Sequence, residues 1–69
     1  MGWVAAVMRC IARIGTKEFS LAEVYAFENY LSELHPDNNN IRPKIRQQLQ
    51  VLRDAGVLQF LARGQYRLL

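Results

Sequence analysis

The sequence holds a single cysteine and a single histidine, Cys10 and His35, among 69 residues. One cysteine cannot form an intramolecular disulfide. A structural zinc site needs about four ligands, and one cysteine and one histidine supply too few. Cys10 falls on the apolar side of a predicted helix, where a free thiol behaves as a small hydrophobic side chain. We therefore expect no disulfide, no metal site and no cofactor.

Long hydrophobic runs are missing as well. No segment approaches the roughly 20 apolar residues that cross a bilayer, because Arg9 and Arg13 interrupt the best candidate. The start of the chain also lacks the basic segment, apolar core and cleavage site of a secretory signal. These absences predict a cytoplasmic chain with no membrane partner.

Catalytic motifs are absent too. Pro36-Asp37 resembles the opening of a nuclease motif that ends in an acidic residue, a spacer and a lysine, but Arg42 stands two positions before Lys44. The carboxylates that would bind a catalytic metal are therefore missing. His35 has no nucleophile or carboxylate constellation, and no glycine-rich phosphate loop is present. We expect no catalytic residues and no enzyme activity from this chain alone.

The apolar content is sufficient for a core. Hydrophobic residues make up 51% of the chain, which argues against disorder. The length suits one domain over residues 1–69, monomeric when isolated, and neither a repeat nor a linker divides it. Such a small domain buries only about 60% of its unfolded surface, so each core residue matters.

Charge is distributed unevenly along the chain. Residues 1–41 carry three basic and five acidic side chains, a net charge of −2. Residues 42–69 carry six basic side chains and one acidic, a net charge of +5. Five of the six cations are arginine, which suits bidentate recognition of a polyanion. Charge alone leaves two interpretations open, a nucleic-acid surface and an ordinary solvated surface.

Apolar residues at helical spacing predict a first helix that ends at Gly15. Its repeating positions are Trp3, Val7, Cys10, Ile11 and Ile14. A brief strand is expected at Lys17–Phe19. Ser20 and Glu23 form a capping-box pattern, which places the start of a second helix at Leu21. Its predicted buried stripe is Val24, Phe27, Leu31 and Leu34.

The segment from His35 to Asn40 consists of turn-forming residues. Pro36 ends the second helix, and Asn40 is the expected N-cap of a third helix that runs from Ile41 to about Ala55. Gly56 stops this helix. Pro43 lies in its first turn, where the missing N–H costs little.

The remaining residues predict a β-hairpin with strands Val57–Leu61 and Tyr66–Leu68 and Gly64 in the turn. Phe60 and Tyr66 are expected in the core. The resulting order of helix, short strand, helix, turn, helix and hairpin predicts a winged helix-turn-helix fold, mainly α with a small β-hairpin, in which the hairpin is the wing. In this fold the third helix enters the major groove of DNA.

The third predicted helix separates into two faces at 100° per residue. Its core face holds Ile41, Ile45, Leu49 and Leu52, with Gln48 at the border. Its outward face holds Pro43, Arg46, Gln47, Gln50 and Asp54. Arginine pairs with guanine and glutamine with adenine through two-point contacts, each worth roughly 1–3 kcal/mol of discrimination. This outward face contains no glutamate, and Asp54 at the helix end is its one carboxylate, a group that repels phosphate.

We therefore expect Arg46, Gln47 and Gln50 to contact bases. Arg42, Lys44 and Arg63 are the expected phosphate ligands. Further DNA contacts are expected from Asn39, Asn40 and Gln65. Arg53 lies next to Asp54 at the helix end, so a local ion pair or C-terminal cap competes with DNA for it. Arg67 is expected to cover the sheet face.

Six segments carry a resemblance to a known family: Glu18–Leu21, Val24–Tyr25, Asn38–Ile41, Lys44–Gly56, Leu58–Leu61 and Arg63–Arg67. Together they resemble the C-terminal winged-helix domain of DpnI-like and Dam-replacing type II restriction endonucleases. The resemblance implies a bacterial module that binds double-stranded DNA at a GATC-like site with N6-methyladenine. It also implies a fused N-terminal nuclease domain of the PD-(D/E)xK type. Pro43 departs from the polar residue expected at that position and adds an apolar surface near the groove.

Two other functions remain compatible with the sequence. One is a winged helix used for protein–protein contact or dimerisation, in which the basic half meets an acidic partner. The other is a non-specific DNA tether. Salt-steep binding to duplex DNA would argue against the first, and a preference among duplexes would argue against the second.

Overall fold

A computed structural model describes residues 2–69, which form four helices and three strands. In chain order these are α1 (Trp3–Ile14), β1 (Glu18–Ser20), α2 (Leu21–Tyr25), α3 (Glu28–Leu34), α4 (Ile41–Asp54), β2 (Leu58–Ala62) and β3 (Gln65–Leu68). This order confirms the predicted winged helix-turn-helix fold. Within residues 2–69, no helix is long and apolar enough to span a membrane.

The first helix follows its apolar spacing. Ala6, Val7, Cys10 and Ile11 are buried, and the exposed side carries Arg9 and Arg13. The helix ends at Gly15, which adopts φ 78° and donates its N–H to the carbonyl of Ile11 at 3.3 Å. The left-handed conformation at this position favours glycine, so the predicted helix end is confirmed.

The single second helix predicted from the sequence is wrong, because the structure divides it into α2 and α3. The start is confirmed: the Ser20 N–H donates to Glu23 Oε1 at 2.9 Å, and the Glu23 N–H donates to Ser20 Oγ at 3.1 Å. The helix is interrupted where the Phe27 N–H donates to the Val24 carbonyl, three residues back, at 3.0 Å. This tighter turn shifts the phase of the helical repeat.

The phase shift changes which residues are buried. Val24 and Leu31 are fully enclosed, and Phe27 is half-buried. Leu34, predicted in the buried stripe, is 37% exposed. A stripe extrapolated across the turn at a period of 3.6 residues therefore places Leu34 wrongly.

Helix α4 matches the predicted third helix to within one residue at its end. Ala55 forms the C-cap, and Gly56 follows with φ 81°. Asn40 occupies the N-cap position as predicted, but its side chain makes no capping hydrogen bond. The neighbouring Asn38 instead accepts a 2.7 Å hydrogen bond from the Asn40 N–H through Oδ1.

The strands form an antiparallel sheet in the order β1-β3-β2, with Tyr66 opposite both Phe19 and Phe60. The sequence places β1 and the hairpin strands within one residue of these positions. The wing turn is attached to the helices, because the Leu21 N–H donates to the Gly64 carbonyl at 2.8 Å.

Aromatic side chains occupy one face of the sheet. Phe19 and Tyr66 are buried and stack with ring centroids 5.5 Å apart. Phe60 contacts Tyr66 edge-on at 4.8 Å, but it is 42% exposed, so its predicted core position is wrong. Leu58 at the start of β2 is buried and the rest of the strand is exposed, so the packing of α4 covers the beginning of β2 and leaves Phe60 partly exposed.

Candidate nucleic-acid interface

The buried face of α4 fixes the orientation of the helix. Its enclosed side chains are Ile41, Ile45, Gln48, Leu49 and Leu52. They pack against α1, the short helices α2 and α3, and β2. Gln48, expected at the border, is 7% exposed and belongs to this face. The opposite face of α4 is therefore held outward by the core.

The outward face of α4 presents polar side chains that have no partner within residues 2–69. Arg46, Gln47 and Gln50 are all exposed. Within residues 2–69, none of the three side chains has a hydrogen-bond or ion-pair partner. Their donors and acceptors are free for an external partner. Pro43 and Val51 add exposed apolar surface on the same helix.

The six basic residues of the C-terminal half divide into two groups of three. Arg42, Arg53 and Arg67 form ion pairs with Glu28, Asp54 and Glu18 at 3.3, 3.1 and 2.7 Å. Lys44, Arg46 and Arg63 form no ion pair in the described part of the chain. Exposed pairs contribute only about 0–1 kcal/mol, so phosphate can compete for a paired arginine whose Nη atoms are free, as they are in Arg42.

Arg53 has local partners on two sides. Its Nε and Nη2 atoms donate to Asp54 Oδ1 at 3.2 and 3.1 Å, and its guanidinium carbon lies 4.7 Å from the centre of the Phe60 ring. Of the interpretations left open by the sequence, the structure shows the local ion pair. This arrangement also covers part of the exposed Phe60 ring.

Arg42, at the other end of α4, is held by residues from α2 and α3. Its Nε donates to Glu28 Oε1 at 3.3 Å, and its guanidinium carbon lies 4.8 Å from the centre of the Tyr25 ring. Neither partner is predictable from local spacing, since Glu28 is 14 residues away from Arg42 in the chain. Only the packing of the helices on one another brings them together.

The loop before α4 borders an open cavity of ≈ 600 Å³. Asn39 and Asn40 line it together with Trp3 and His35, whose rings stack at 4.1 Å. His35 Nε2 is buried and has no hydrogen-bond partner among residues 2–69. Asn39 and Asn40 are exposed beside the start of α4. They are therefore accessible to a ligand that binds at the N-terminus of this helix.

The wing carries one unpaired cation and one paired cation. Arg63 and Gln65 are exposed at and after the hairpin turn. Arg67 stands opposite Glu18 across β3 and β1 and donates to it from both Nε and Nη2, at 3.2 and 2.7 Å. Arg67 therefore joins two strands, which agrees with its expected place on the sheet face.

Burial suppresses ionisation at two positions. It raises the pKa of the Tyr66 hydroxyl, Tyr25 raises that pKa further, and the positive charge of Arg46 opposes the shift. Burial likewise raises the pKa of the Cys10 thiol, against a smaller opposing effect of Arg13. The Cys10 thiol is fully enclosed and stays protonated at neutral pH, as a core side chain.

No cluster of three or more histidine, cysteine, aspartate or glutamate side chains capable of holding a metal ion occurs within residues 2–69. The functional groups at the surface of α4 are cations and amides, which bind phosphates and base edges. A family model described as DpnI_C, Dam-replacing HTH domain, matches residues 1–68, where HTH denotes helix-turn-helix.

Proposed function

Since this chain belongs to the Dam-replacing HTH family of DNA-binding domains, we propose that it binds double-stranded DNA sequence-specifically, with α4 in the major groove. Arg46, Gln47 and Gln50 contact base edges in this proposal. Arg42, Lys44 and Arg63 neutralise phosphates. Asn39, Asn40 and Gln65 make further contacts beside the helix start and in the wing.

The observation that supports this assignment most strongly is the unpaired outward face of α4. An arginine and two glutamines point away from a tightly packed core and have no partner within residues 2–69. Bidentate pairing of such side chains with guanine and adenine contributes roughly 1–3 kcal/mol of discrimination per base pair. A tether that ignores sequence would need phosphate-binding cations but not exposed amides at these positions.

The preferred target in this proposal is a GATC-like site with N6-methyladenine. The family resemblance supports this choice, and Pro43 provides an exposed apolar surface one turn before Gln47. A methyl group in the major groove is recognised by apolar contact, as the thymine methyl is. On the same basis, we propose that residues 1–69 are a monomeric binding module of a methyl-directed restriction endonuclease with a separate nuclease domain.

One titration tests the proposal. Fluorescence anisotropy would measure the affinity of residues 1–69 for a fully methylated GATC duplex, a hemimethylated duplex and a scrambled duplex, each at two salt concentrations. We expect tightest binding to the fully methylated duplex and a steep loss of affinity with salt for all three. Equal affinities with a steep salt dependence would instead indicate a non-specific tether.

The protein-interaction alternative has one structural observation in its favour. Val51, Phe60 and Leu61 are exposed apolar side chains on α4 and β2. If this surface pairs two copies, sedimentation should show a dimer, and duplex binding should be weak and nearly independent of salt. A monomer that binds duplex DNA with a steep salt dependence rules this alternative out for the isolated chain.

A further inference from the structure

The side chain of Arg42 is enclosed on two sides. The Tyr25 ring lies under the guanidinium face, and Glu28 Oε1 accepts from Nε at 3.3 Å. The Arg42 side chain is nevertheless 59% exposed. Its two Nη groups make no hydrogen bond to any of residues 2–69. The contacts fix the base and one face of the guanidinium and leave its outer edge free.

The two partners are themselves held in place. Tyr25 is the last residue of α2 and Glu28 the first residue of α3, on either side of the tight turn at Phe27. Both short helices are anchored through fully enclosed side chains, Val24 in α2 and Leu31 in α3, and both contact α4. Tyr25 and Glu28 therefore form a fixed contact surface for Arg42 in the first turn of α4.

We propose that Tyr25 and Glu28 are positioning residues that aim the Nη edge of Arg42 at a DNA phosphate. This inference rests on the proposed phosphate contact of Arg42. Arginine binds phosphate best through two parallel N–H groups, and an arginine already held in that orientation loses less conformational freedom on binding. Glu28 occupies Nε alone, so the paired Nη donors remain available while Glu28 stays in contact.

Simple charge effects predict the opposite sign for a change at Glu28. A carboxylate beside a phosphate-binding site repels the polyanion, so its removal should tighten binding. Replacing the carboxylate of a positioning residue with an amide should weaken binding, because the uncharged acceptor forms a weaker hydrogen bond to Nε and holds Arg42 less firmly. The sign of the change in affinity therefore distinguishes a positioning role from mere repulsion.

The experiment compares Glu28→Gln with Glu33→Gln in residues 1–69. Glu33 is an exposed residue of the same helix without an ion pair in the described residues, so both variants lose one negative charge from α3. Binding to methylated GATC and scrambled duplexes would be measured by anisotropy. We expect Glu28→Gln to weaken both complexes about three- to fivefold, the upper range of an exposed ion pair. Glu33→Gln should leave them unchanged or slightly tighter.

Two further variants link the effect to Arg42. In an Arg42→Ala background, Glu28→Gln should cause no additional loss, since nothing remains to position. Tyr25→Phe should retain wild-type affinity, because the ring remains beneath the guanidinium, whereas Tyr25→Leu should weaken binding. Thermal melting of each variant identifies any loss of affinity that comes from unfolding.

The inference is overturned if Glu28→Gln tightens binding as Glu33→Gln does, or if its effect persists without Arg42. Those results leave DNA binding intact. If Arg42→Ala leaves the affinity and its salt dependence unchanged, the phosphate role of Arg42 is wrong and the inference fails with it. Wild-type protein that binds no duplex would instead contradict the proposed function itself.

Discussion

The two ends of α4 use arginine differently. At the start of the helix, Arg46 has no ion-pair partner within residues 2–69, and Arg42 keeps a free outer edge. At the last turn, Arg53 donates from two nitrogen atoms to Asp54 and lies over Phe60. Residue type and exposure are similar at both ends. Arg42 and Arg53 each lie beside a carboxylate and an aromatic ring, but Glu28 accepts from Nε of Arg42 alone, whereas Asp54 accepts from both Nε and Nη2 of Arg53. The donor atoms left free therefore distinguish a candidate DNA ligand from a side chain that stabilises the fold.

This difference has a simple electrostatic consequence. Arg53 is the basic residue of the last turn, and the adjacent Asp54 offsets its charge, whereas Lys44 and Arg46 in the first half of α4 have no ion pair within residues 2–69. The first half of α4 lacks any acidic residue, and the helix dipole adds positive potential there. We therefore expect DNA to meet the start of the helix and not its end.

The largest effect on stability should come from a residue of the core that fixes the orientation of α4. Leu49 is fully enclosed on the core face of α4. Leu49→Ala should lower the free energy of unfolding by about 2–5 kcal/mol, because it leaves a cavity in a small core. Urea denaturation followed by circular dichroism measures this change. Leu34→Ala is the matched control, since Leu34 is partly exposed, and a comparable loss there would contradict the assigned core.

The next effect tests the start of the helix. Arg46→Ala should reduce the preference for a matched over a mismatched base pair by about 5- to 160-fold, which corresponds to roughly 1–3 kcal/mol. Competition anisotropy with single-mismatch duplexes measures the ratio. Arg9→Ala provides the control, because α1 packs against the buried face of α4 and Arg9 is exposed on that helix. An unchanged ratio for Arg46→Ala would show that Arg46 does not contact a base.

The smallest effect is expected at the other end of the helix. Arg53→Ala should change duplex affinity by less than about twofold and leave its salt dependence unchanged, because Asp54 already satisfies this cation. Lys44→Ala serves as the comparison and should make the slope of log affinity against log salt shallower by about 0.9. Equal slopes for the two variants would remove the distinction between the ends of α4.

Local chemistry explains which parts of the fold could be predicted. Gly15 and Gly56 end their helices in left-handed conformations, and the capping box of Ser20 and Glu23 starts α2. Each signal acts within a few residues and needs no knowledge of the rest of the chain. The spacing of apolar residues in α4 likewise separates the buried face from the exposed one.

The errors have a common physical origin in tertiary structure. No glycine or proline marks the turn at Phe27, so the apolar spacing predicts one helix across α2 and α3 and places Leu34 in its buried stripe. The exposure of Phe60 depends on how far α4 covers β2, which the apolar spacing along the strand does not determine. The same holds for ion pairs between distant residues, such as Arg67 with Glu18, 49 positions apart.

The candidate site was predictable in its residue types but not in their surroundings. Helical geometry selected Arg46, Gln47 and Gln50 as outward residues, and the structure shows all three exposed. Geometry along one helix says nothing about side chains supplied by others. The contacts of Arg42 with Tyr25 and Glu28 are therefore visible only in the packed structure.

The bond between the wing turn and the helices bears on how the domain would meet a duplex. The Leu21 N–H and the Gly64 carbonyl tie the hairpin turn to the start of α2, which packs against α4. The distance between Arg63 and α4 is thus fixed in the free protein. We expect the affinity for DNA to depend on the groove width of the duplex as well as on its base sequence. Duplexes of the same site with stiffer or more pliable flanking steps should then differ in affinity.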